Sequence, residues 1–251
     1  MKCHQREIRE SAPPEPDEDI KRALAQDFAH ACVREITHEQ ARPLILKYEW
    51  LRSMGSGRKW FGLFFGEHLG GCEGFGATGG TRVWESVAGV EHADRVCELV
   101  RGTCLPWTPK NSASWLIRRA CEQMAELYNK NLFIAYATES AGECGVIYSS
   151  LNWQYAGYTR AAQVFVLDGK IHDSRQISGL ARDRRGHKQG EPMRYRRTWA
   201  EQKQLLTDQG AVFLPGERKH KFIGLYGTPA IVKQYRRALK LPSLPYPRRA
   251  D

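Results

Sequence analysis

The sequence predicts an α/β protein with a mixed central sheet flanked by helices. Apolar runs of strand length alternate with segments of helical periodicity, and their order along the chain is β-α-β-β-β-α-β-α-β-β. Hydrophobic residues make up 41% of the chain and aromatic residues 10%, which is typical of a globular protein. A chain of 251 residues is long enough to bury a full core.

The first half of the chain supplies a strand, a helix and a hairpin. Residues 32–36 predict the first strand, and Thr37 and Gln40 form a capping box before an amphipathic helix over 39–52. Apolar runs at 59–65 and 69–75 then flank a glycine-containing turn, which predicts an antiparallel hairpin.

The remaining segments predict a loop, further strands and further helices. The glycine-rich residues 76–95 are expected to form a loop. The expected strands are 96–105, 132–138, 154–159, 162–167 and 219–226. The expected helices are 112–129, 142–151, 198–208 and 229–239, with Asn111 or Ser112 as the cap of the first.

Three regions follow from this order. Residues 1–30 form an acidic arm, flexible to residue 19 and then a short helix over 20–30. Residues 31–227 form the main α/β domain, which includes a basic loop over 180–200, and residues 228–251 form a helix and a tail.

The formal net charge is +10, which favours polyanionic partners. Residues 182–188 show no apolar periodicity and are expected to form an exposed loop, and the stretch over 182–197 is dense in arginine. The alternative to a binding role is a solvated loop without function. We expect the loop to bind double-stranded DNA through its cations. These cations are Arg182, Arg184, Arg185, Lys188, Arg194, Arg196 and Arg197.

Seven cysteines are scattered without a CxxC pair or zinc-finger spacing, which is typical of reduced thiols. The chain has neither a signal peptide nor an apolar run of the ~18–20 residues that cross a bilayer, so we expect a cytoplasmic protein without a membrane partner. The oligomeric state is left open, a dimer being one arrangement.

Four segments carry a resemblance to a known family. They are 48–51 with the hairpin that follows, 99–119, 138–148 and 219–223. Over roughly residues 32–227 the chain resembles the Mom family of phage DNA-modification proteins, and its layout is similar to the GNAT acyltransferase fold. The resemblance implies a carbamoylmethyl-type modification of the exocyclic amine of adenine in phage DNA. It further implies protection of that DNA from host restriction, with acetyl-CoA as the donor.

In a GNAT fold the CoA pyrophosphate lies at the start of the helix after the fourth strand, where backbone N–H groups and the helix dipole favour an anion. Residues 107–114 fill this place in the present chain and contain no glycine, unlike the family's glycine-rich loop. Lys110, Ser112 and Ser114 are the candidate phosphate ligands, although both serines also suit a plain helix cap.

Arg101 interrupts an apolar strand, so its charge must be paired or face a cleft. It looks like an arginine of the family motif, and we assign it to the cofactor site. A structural ion pair is the alternative.

Tyr148 lies where GNAT enzymes often place the tyrosine that protonates the leaving thiolate, although a core tyrosine would fit the same pattern. Glu139 and Glu143 follow the strand before it, and either residue can accept the amine proton or cap the helix.

Glu49 and Trp50 stand where the family pattern looks like a His-Tyr pair. Glu49 is a candidate base or an oxygen ligand for a metal, and the alternative is a helix-surface glutamate. Trp50 is the candidate to stack on a flipped base. The sequence does not determine whether a metal takes part.

Three functions remain open. The first is a Mom-like DNA-modifying transferase, the second a GNAT acetyltransferase of a protein or small amine, and the third a non-catalytic GNAT-shaped DNA-binding module. The missing glycine loop favours the first or third, and the polar residues Arg101, Glu139 and Tyr148 at strand ends favour the first over the third.

Overall fold

A computed structural model describes residues 4–11, 16–25, 30–77, 81–161, 163–173, 177 and 198–248. The chain divides into two compact units: the first comprises Met1–Tyr158 and His220–Asp251, and the second Thr159–Lys219. This division differs from the single α/β domain over residues 31–227 that the sequence predicts. The second unit is an insertion between two strands of the first.

Helices and strands alternate along most of the described chain. In chain order they are α1 (His4–Glu10), α2 (Glu18–Ala25), β1 (Ala31–Ile36), α3 (His38–Tyr48), β2 (Gly57–Phe65), β3 (His68–Gly76), α4 (Thr81–Ala88), β4 (Val96–Cys104), α5 (Ser112–Tyr128), β5 (Leu132–Thr138), α6 (Val146–Ser150), β6 (Gln154–Tyr158), β7 (Gln163–Leu167), β8 (Lys170–Asp173), α7 (Trp199–Asp208), β9 (Val212–Pro215), β10 (Lys219–Leu225) and α8 (Pro229–Ala238). Short 3-10 turns span Val90–Arg95 and Glu139–Ala141. Within the described part of the chain, no helix has the length and apolar character needed to cross a membrane.

The first unit is built on a seven-stranded sheet in the order β1-β2-β3-β4-β5-β10-β6. From β1 to β4 each strand is antiparallel to its neighbour, whereas β4 and β5 run parallel. The α/β class and the mixed sheet flanked by helices, as predicted from the sequence, are therefore confirmed. The order of strand, helix, hairpin, strand, long helix, strand and helix also agrees with the GNAT-like layout that the resemblance implies.

Apolar side chains cover both faces of this sheet. On one face Leu116, Ile117 and Ala120 of α5 pack against the buried aromatic residues of the strands. On the other face Ala41 and Ile45 of α3 pack in a separate cluster. The helical spacing of these residues produces the two apolar stripes that hold α3 and α5 against the sheet.

The parallel pair β4 and β5 separates part-way along its length. The register joins Val96–Glu98 to Leu132–Ile134, and the pairing covers these three residues of each strand. At the same level the register of β4 with β3 shifts between Leu99 and Arg101, which leaves Val100 as a bulge. Because a bulge bends its strand, it supports the divergence of β4 from β5. A gap therefore opens between the carboxyl-terminal halves of the two strands.

The helix α3 begins as predicted but ends early. Thr37 forms the expected capping box with Gln40. The backbone of Glu49 is extended, with φ −87° and ψ 145°, so the helix ends at Tyr48 rather than at Arg52.

The second unit has a small core of its own. The three-stranded sheet β8-β7-β9 is antiparallel and packs against α7. Its buried residues are Phe165, Ile177, Leu206 and Ala211. The predicted strand over 162–167 exists, but it belongs to this sheet and not to the main one.

Several local predictions are wrong. Residues 4–10 form a helix within the arm predicted to be flexible, and the loop predicted over 76–95 contains α4 and a 3-10 turn. The helix predicted over 142–151 is reduced to α6, because the chain first makes a 3-10 turn and places Gly142 and Gly145 at positive φ. Such φ values break a helix and suit glycine.

Candidate active site at the divergence of two strands

The gap between β4 and β5 has a buried carboxyl group at its side. Glu73 of β3 is 5% exposed and pairs in register with Gly102 of β4. Its Oε2 lies only 2.0 Å from where a Cβ on Gly102 would be. The absence of a side chain at Gly102 therefore lets the Glu73 carboxyl lie across β4 toward the gap.

The carboxyl group of Glu73 is strongly perturbed. Burial raises its pKa well above the usual range, and the negative charge of Glu49 raises it further. A carboxyl group kept protonated in this way is a hydrogen-bond donor and can stabilise negative charge that develops on an oxygen.

Tyr148 reaches the same region from the β5 side. Its ring packs against Trp153 at 5.3 Å and against Phe222 at 5.2 Å between centroids. Burial raises the pKa of Tyr148 well above its usual range. The hydroxyl group therefore stays protonated and can donate to a leaving group.

A close backbone approach positions Tyr148. The helix α6 that carries it starts after Gly145, which has φ +77°, and a Cβ there would lie 2.2 Å from the Phe222 ring. Only glycine satisfies both the conformation and the contact, so Gly145 fixes where α6 meets the sheet.

The start of α5 lies directly after the loop that follows β4. Its N-cap residue Asn111 has φ 72° and makes no side-chain capping hydrogen bond. Ser112 is fully buried and donates to the carbonyl of Pro109 at 2.7 Å, and Ser114 donates to the carbonyl of Asn111 at 3.0 Å. An N-terminus without a side-chain cap offers backbone N–H groups to an anion, so the backbone rather than the serine hydroxyls is the better phosphate ligand at this position.

Arg101 and Glu49 lie together beside the α3–β2 connection. Arg101 Nε donates to the carbonyl of Ser53 at 2.9 Å and lies 3.8 Å from Glu49 Oε2. Glu49 is 9% exposed, so the expectation of a helix-surface glutamate is wrong. It follows the end of α3 and accepts a hydrogen bond from the backbone N–H of Leu51 at 2.7 Å. Burial raises its pKa, opposed by the charge of Arg101.

The ring contact of Trp50 is with α1, away from Tyr148 and Glu139. It is 40% exposed, and its ring meets the edge of the His4 imidazole of α1 at 6.3 Å. The ring is exposed, and its role in stacking on a flipped base stays a prediction.

Glu139 belongs to a hydrogen-bonded group at the end of β5. Its Oε1 accepts a hydrogen bond from the Tyr158 hydroxyl at 2.7 Å and lies 3.1 Å from Nε2 of His220. Nδ1 of the same imidazole lies 2.9 Å from the hydroxyl of Tyr155. Glu139 thus has polar partners from β6 and β10, not only from its own turn.

One prediction and one open question lie outside this geometry. The basic residues from Arg182 to Arg197 lie outside the described residues. Across the described ranges no group of three or more His, Cys, Asp or Glu side chains is placed to hold a metal ion.

The sequence reasoning missed Glu73, His220, Tyr155 and Tyr158. An acid inside an apolar, glycine-rich strand is the signal that singles out Glu73. No local signal links His220 to Glu139, because β10 comes next to β5 only in the folded sheet.

Comparison with known protein families matches residues 30–248 to the Mom protein family. The chain belongs to the Mom protein family. The match covers β1 to α8 and therefore the whole candidate site. Among curated proteins, none matches the chain.

Solved structures similar to this Mom family member include acetyltransferases. An acetyltransferase of Bacillus subtilis in complex with CoA is 10% identical, with 78% of this chain and 97% of the other covered and a TM-score of 0.40. A spermidine/spermine N-acetyltransferase of Vibrio cholerae in complex with manganese ions is 9% identical, with 83% and 96% covered and a TM-score of 0.42. A ribosomal-protein-S5-alanine acetyltransferase of Vibrio fischeri is 8% identical, with 79% and 94% covered and a TM-score of 0.41.

Proposed function

We propose that the protein transfers an acyl-type group from an acyl-CoA, with acetyl-CoA as the first candidate, to the exocyclic amine of adenine in double-stranded DNA. The modification would protect phage DNA from restriction in the host cytoplasm. The observation that carries this proposal is the gap between β4 and β5, bordered by the buried Glu73 and by Tyr148. Membership of the Mom protein family supports DNA as the acceptor.

The residues around the gap fit a thioester donor. The N-terminus of α5, which has no side-chain cap, suits the pyrophosphate, and Lys110 adds a positive charge near it. The thioester would then extend toward the gap, where protonated Glu73 can donate a hydrogen bond to its carbonyl oxygen.

Two residues carry out the proton transfers that accompany acyl transfer. The amine nitrogen attacks the thioester carbon, a C–N bond forms, and the C–S bond breaks. Tyr148 gives its proton to the departing thiolate, and Glu139 takes the proton that the amine loses. Since adenine inside a duplex is inaccessible, the base must first leave the stack.

The direct test is nucleoside analysis. The protein is expressed in a bacterium, the DNA is digested to nucleosides, and deoxyadenosine is examined by mass spectrometry. We expect a heavier deoxyadenosine that forms about 10²-fold more slowly in cells expressing Tyr148→Phe. Unmodified deoxyadenosine together with acetylated proteins or polyamines would instead assign the chain to the acetyltransferases of small amines or proteins.

A further inference from the structure

Four side chains at the end of β5 are connected by two hydrogen bonds and one contact between His220 and Glu139. From the interior outward they are Tyr155, His220, Glu139 and Tyr158. His220 is 2% exposed, so its imidazole is shielded from water, whereas the side chain of Glu139 is 56% exposed. The chain thus runs from the core to a carboxylate that a ligand can reach.

Hydrogen bonding fixes the orientation of the imidazole. Burial, and then the charge of Glu139, raise the pKa of Tyr155, so its hydroxyl stays protonated, and the hydroxyl oxygen forms a hydrogen bond with Nδ1 of His220. The other ring nitrogen, Nε2, lies 3.1 Å from Oε1 of Glu139. A buried histidine with polar contacts on both ring nitrogens holds the carboxylate beside it in place.

The partners of Glu139 leave its second carboxylate oxygen for a ligand. Among the described residues, His220 and Tyr158 both contact Oε1 of Glu139. The second oxygen, Oε2, can therefore accept a hydrogen bond from an amine without displacing either partner.

Tyr158 adds an aromatic surface beside this oxygen. Its ring lies 4.5 Å from the His220 ring, with an interplanar angle of 35°, and the residue is 48% exposed. An exposed ring backed by a second flat ring is suited to stack on an unpaired base.

The inner end of the group lies close to the proposed proton donor. Tyr148 packs on Phe222 at 5.2 Å, and Phe222 packs on Tyr155 at 5.2 Å. One aromatic ring therefore separates Tyr148 from Tyr155, and His220 connects Tyr155 to Glu139.

We propose that Tyr158 and Glu139 form the binding site for the acceptor base, with His220 and Tyr155 as positioning residues for Glu139. The ligand is an unpaired purine with an exocyclic amine, which stacks on Tyr158 and directs its N–H to Oε2 of Glu139. As the amine bonds to the acyl carbon, its proton moves to Oε2 and the thiolate takes the proton of Tyr148. This inference rests on the function proposed above.

The kinetic test measures kcat for DNA modification and the KM for DNA. Glu139→Gln is expected to lower kcat by about 10²-fold. His220→Leu, which loses both polar contacts of the ring, is expected to lower kcat while the KM for DNA is kept, and His220→Gln, which retains polar atoms, to restore part of kcat. His92→Gln is the matched control and leaves both constants unchanged. A wild-type kcat in His220→Leu would overturn the positioning role.

The binding test does not need the reaction. The dissociation constants of oligo(dA) and oligo(dT) are compared for the wild type, Tyr158→Phe and Tyr158→Leu. We expect a preference for oligo(dA) that Phe keeps and Leu loses. Equal affinity of the wild type for both oligonucleotides would refute the base site, whereas a preference without modified deoxyadenosine would refute only the proposed transfer. Thermal unfolding shows that each variant is folded.

Discussion

At the scale of single residues, the molecule keeps two acidic protons inside its candidate site. Tyr148 and Glu73 are both held protonated, chiefly by burial. Each change below removes one proton-carrying group while the size of the side chain is nearly kept, so chemistry is tested apart from packing.

The first prediction concerns Tyr148. Tyr148→Phe retains the ring contacts with Trp153 and Phe222, and we expect it to fold and to bind DNA. Its modification rate is expected to fall by about 10²-fold, the range of a lost general acid. Tyr235→Phe, a buried tyrosine on α8, is the control. A normal rate in Tyr148→Phe would show that the hydroxyl is not the proton donor.

The second prediction concerns the pH dependence of stability. Glu73 has a raised pKa when folded, so the folded protein binds its proton more tightly than the unfolded chain. The free energy of unfolding therefore falls as pH rises from the ordinary carboxyl pKa of 4.5 toward the folded value. Glu73→Gln removes this dependence, and its stability relative to the wild type should increase with pH in denaturant titrations.

Glu126→Gln is the control for that experiment, because Glu126 is an exposed residue of α5. It should follow the pH dependence of the wild type. A Glu73→Gln variant that follows the same curve would show that the Glu73 carboxyl is ionised in the folded protein.

The candidate site was predictable from the sequence only in part. Tyr148 and Glu139 stand out because they follow a strand whose position is evident from its apolar run. Their partners come from β6 and β10, and the pairing of Tyr155 with His220 spans 65 positions of the chain. The apolar periodicity of a single segment gives no information about such a long-range contact.

At the scale of secondary structure elements, prediction succeeded where a segment is apolar and uninterrupted. Strand β5 was predicted with both of its ends, since Leu132–Thr138 is a continuous apolar run. Helix α4 was missed because it is short and follows a glycine-rich stretch. The early end of α3 at Tyr48 was missed because the buried Glu49, a polar residue, does not mark a helix end.

The third prediction belongs to α5 and β4. If the gap and the start of α5 hold an acyl-CoA, acetyl-CoA should raise the melting temperature, because a ligand that binds only the folded state stabilises it. Lys110→Ala should give a smaller shift, and Lys233→Ala, at a lysine of α8, should match the wild type. No shift at millimolar acetyl-CoA would rule it out as the donor and leave other donors to be screened.

At the scale of the whole molecule, the net charge of +10 is the property that bears on DNA. Seven of the cations lie between residues 182 and 197, outside the described residues. Their contribution is therefore a matter for solution experiments.

The fourth prediction addresses those cations. Replacing Arg184, Arg185, Arg196 and Arg197 by Ala should weaken duplex binding and flatten its salt dependence, since each phosphate contact contributes about 0.9 to the slope of log K against log salt. The matched variant with four Lys residues keeps the charge and should keep the slope. If the Ala variant retains the wild-type slope, the DNA phosphates are bound elsewhere on the protein.

The register at the end of β6 has a consequence for how this chain can vary. Tyr158 is paired with His220, so the chain leaves the main sheet and returns to it at facing positions. Residues 159–219 therefore form an insertion whose two ends are held together by the pairing of β6 with β10. The entropic cost of closing such a loop changes only slowly with the length of the insertion. The insertion can be lengthened, shortened or replaced while β6 and β10 keep their pairing. Selection can thus alter this part of the protein without rebuilding the sheet that carries Glu139 and His220.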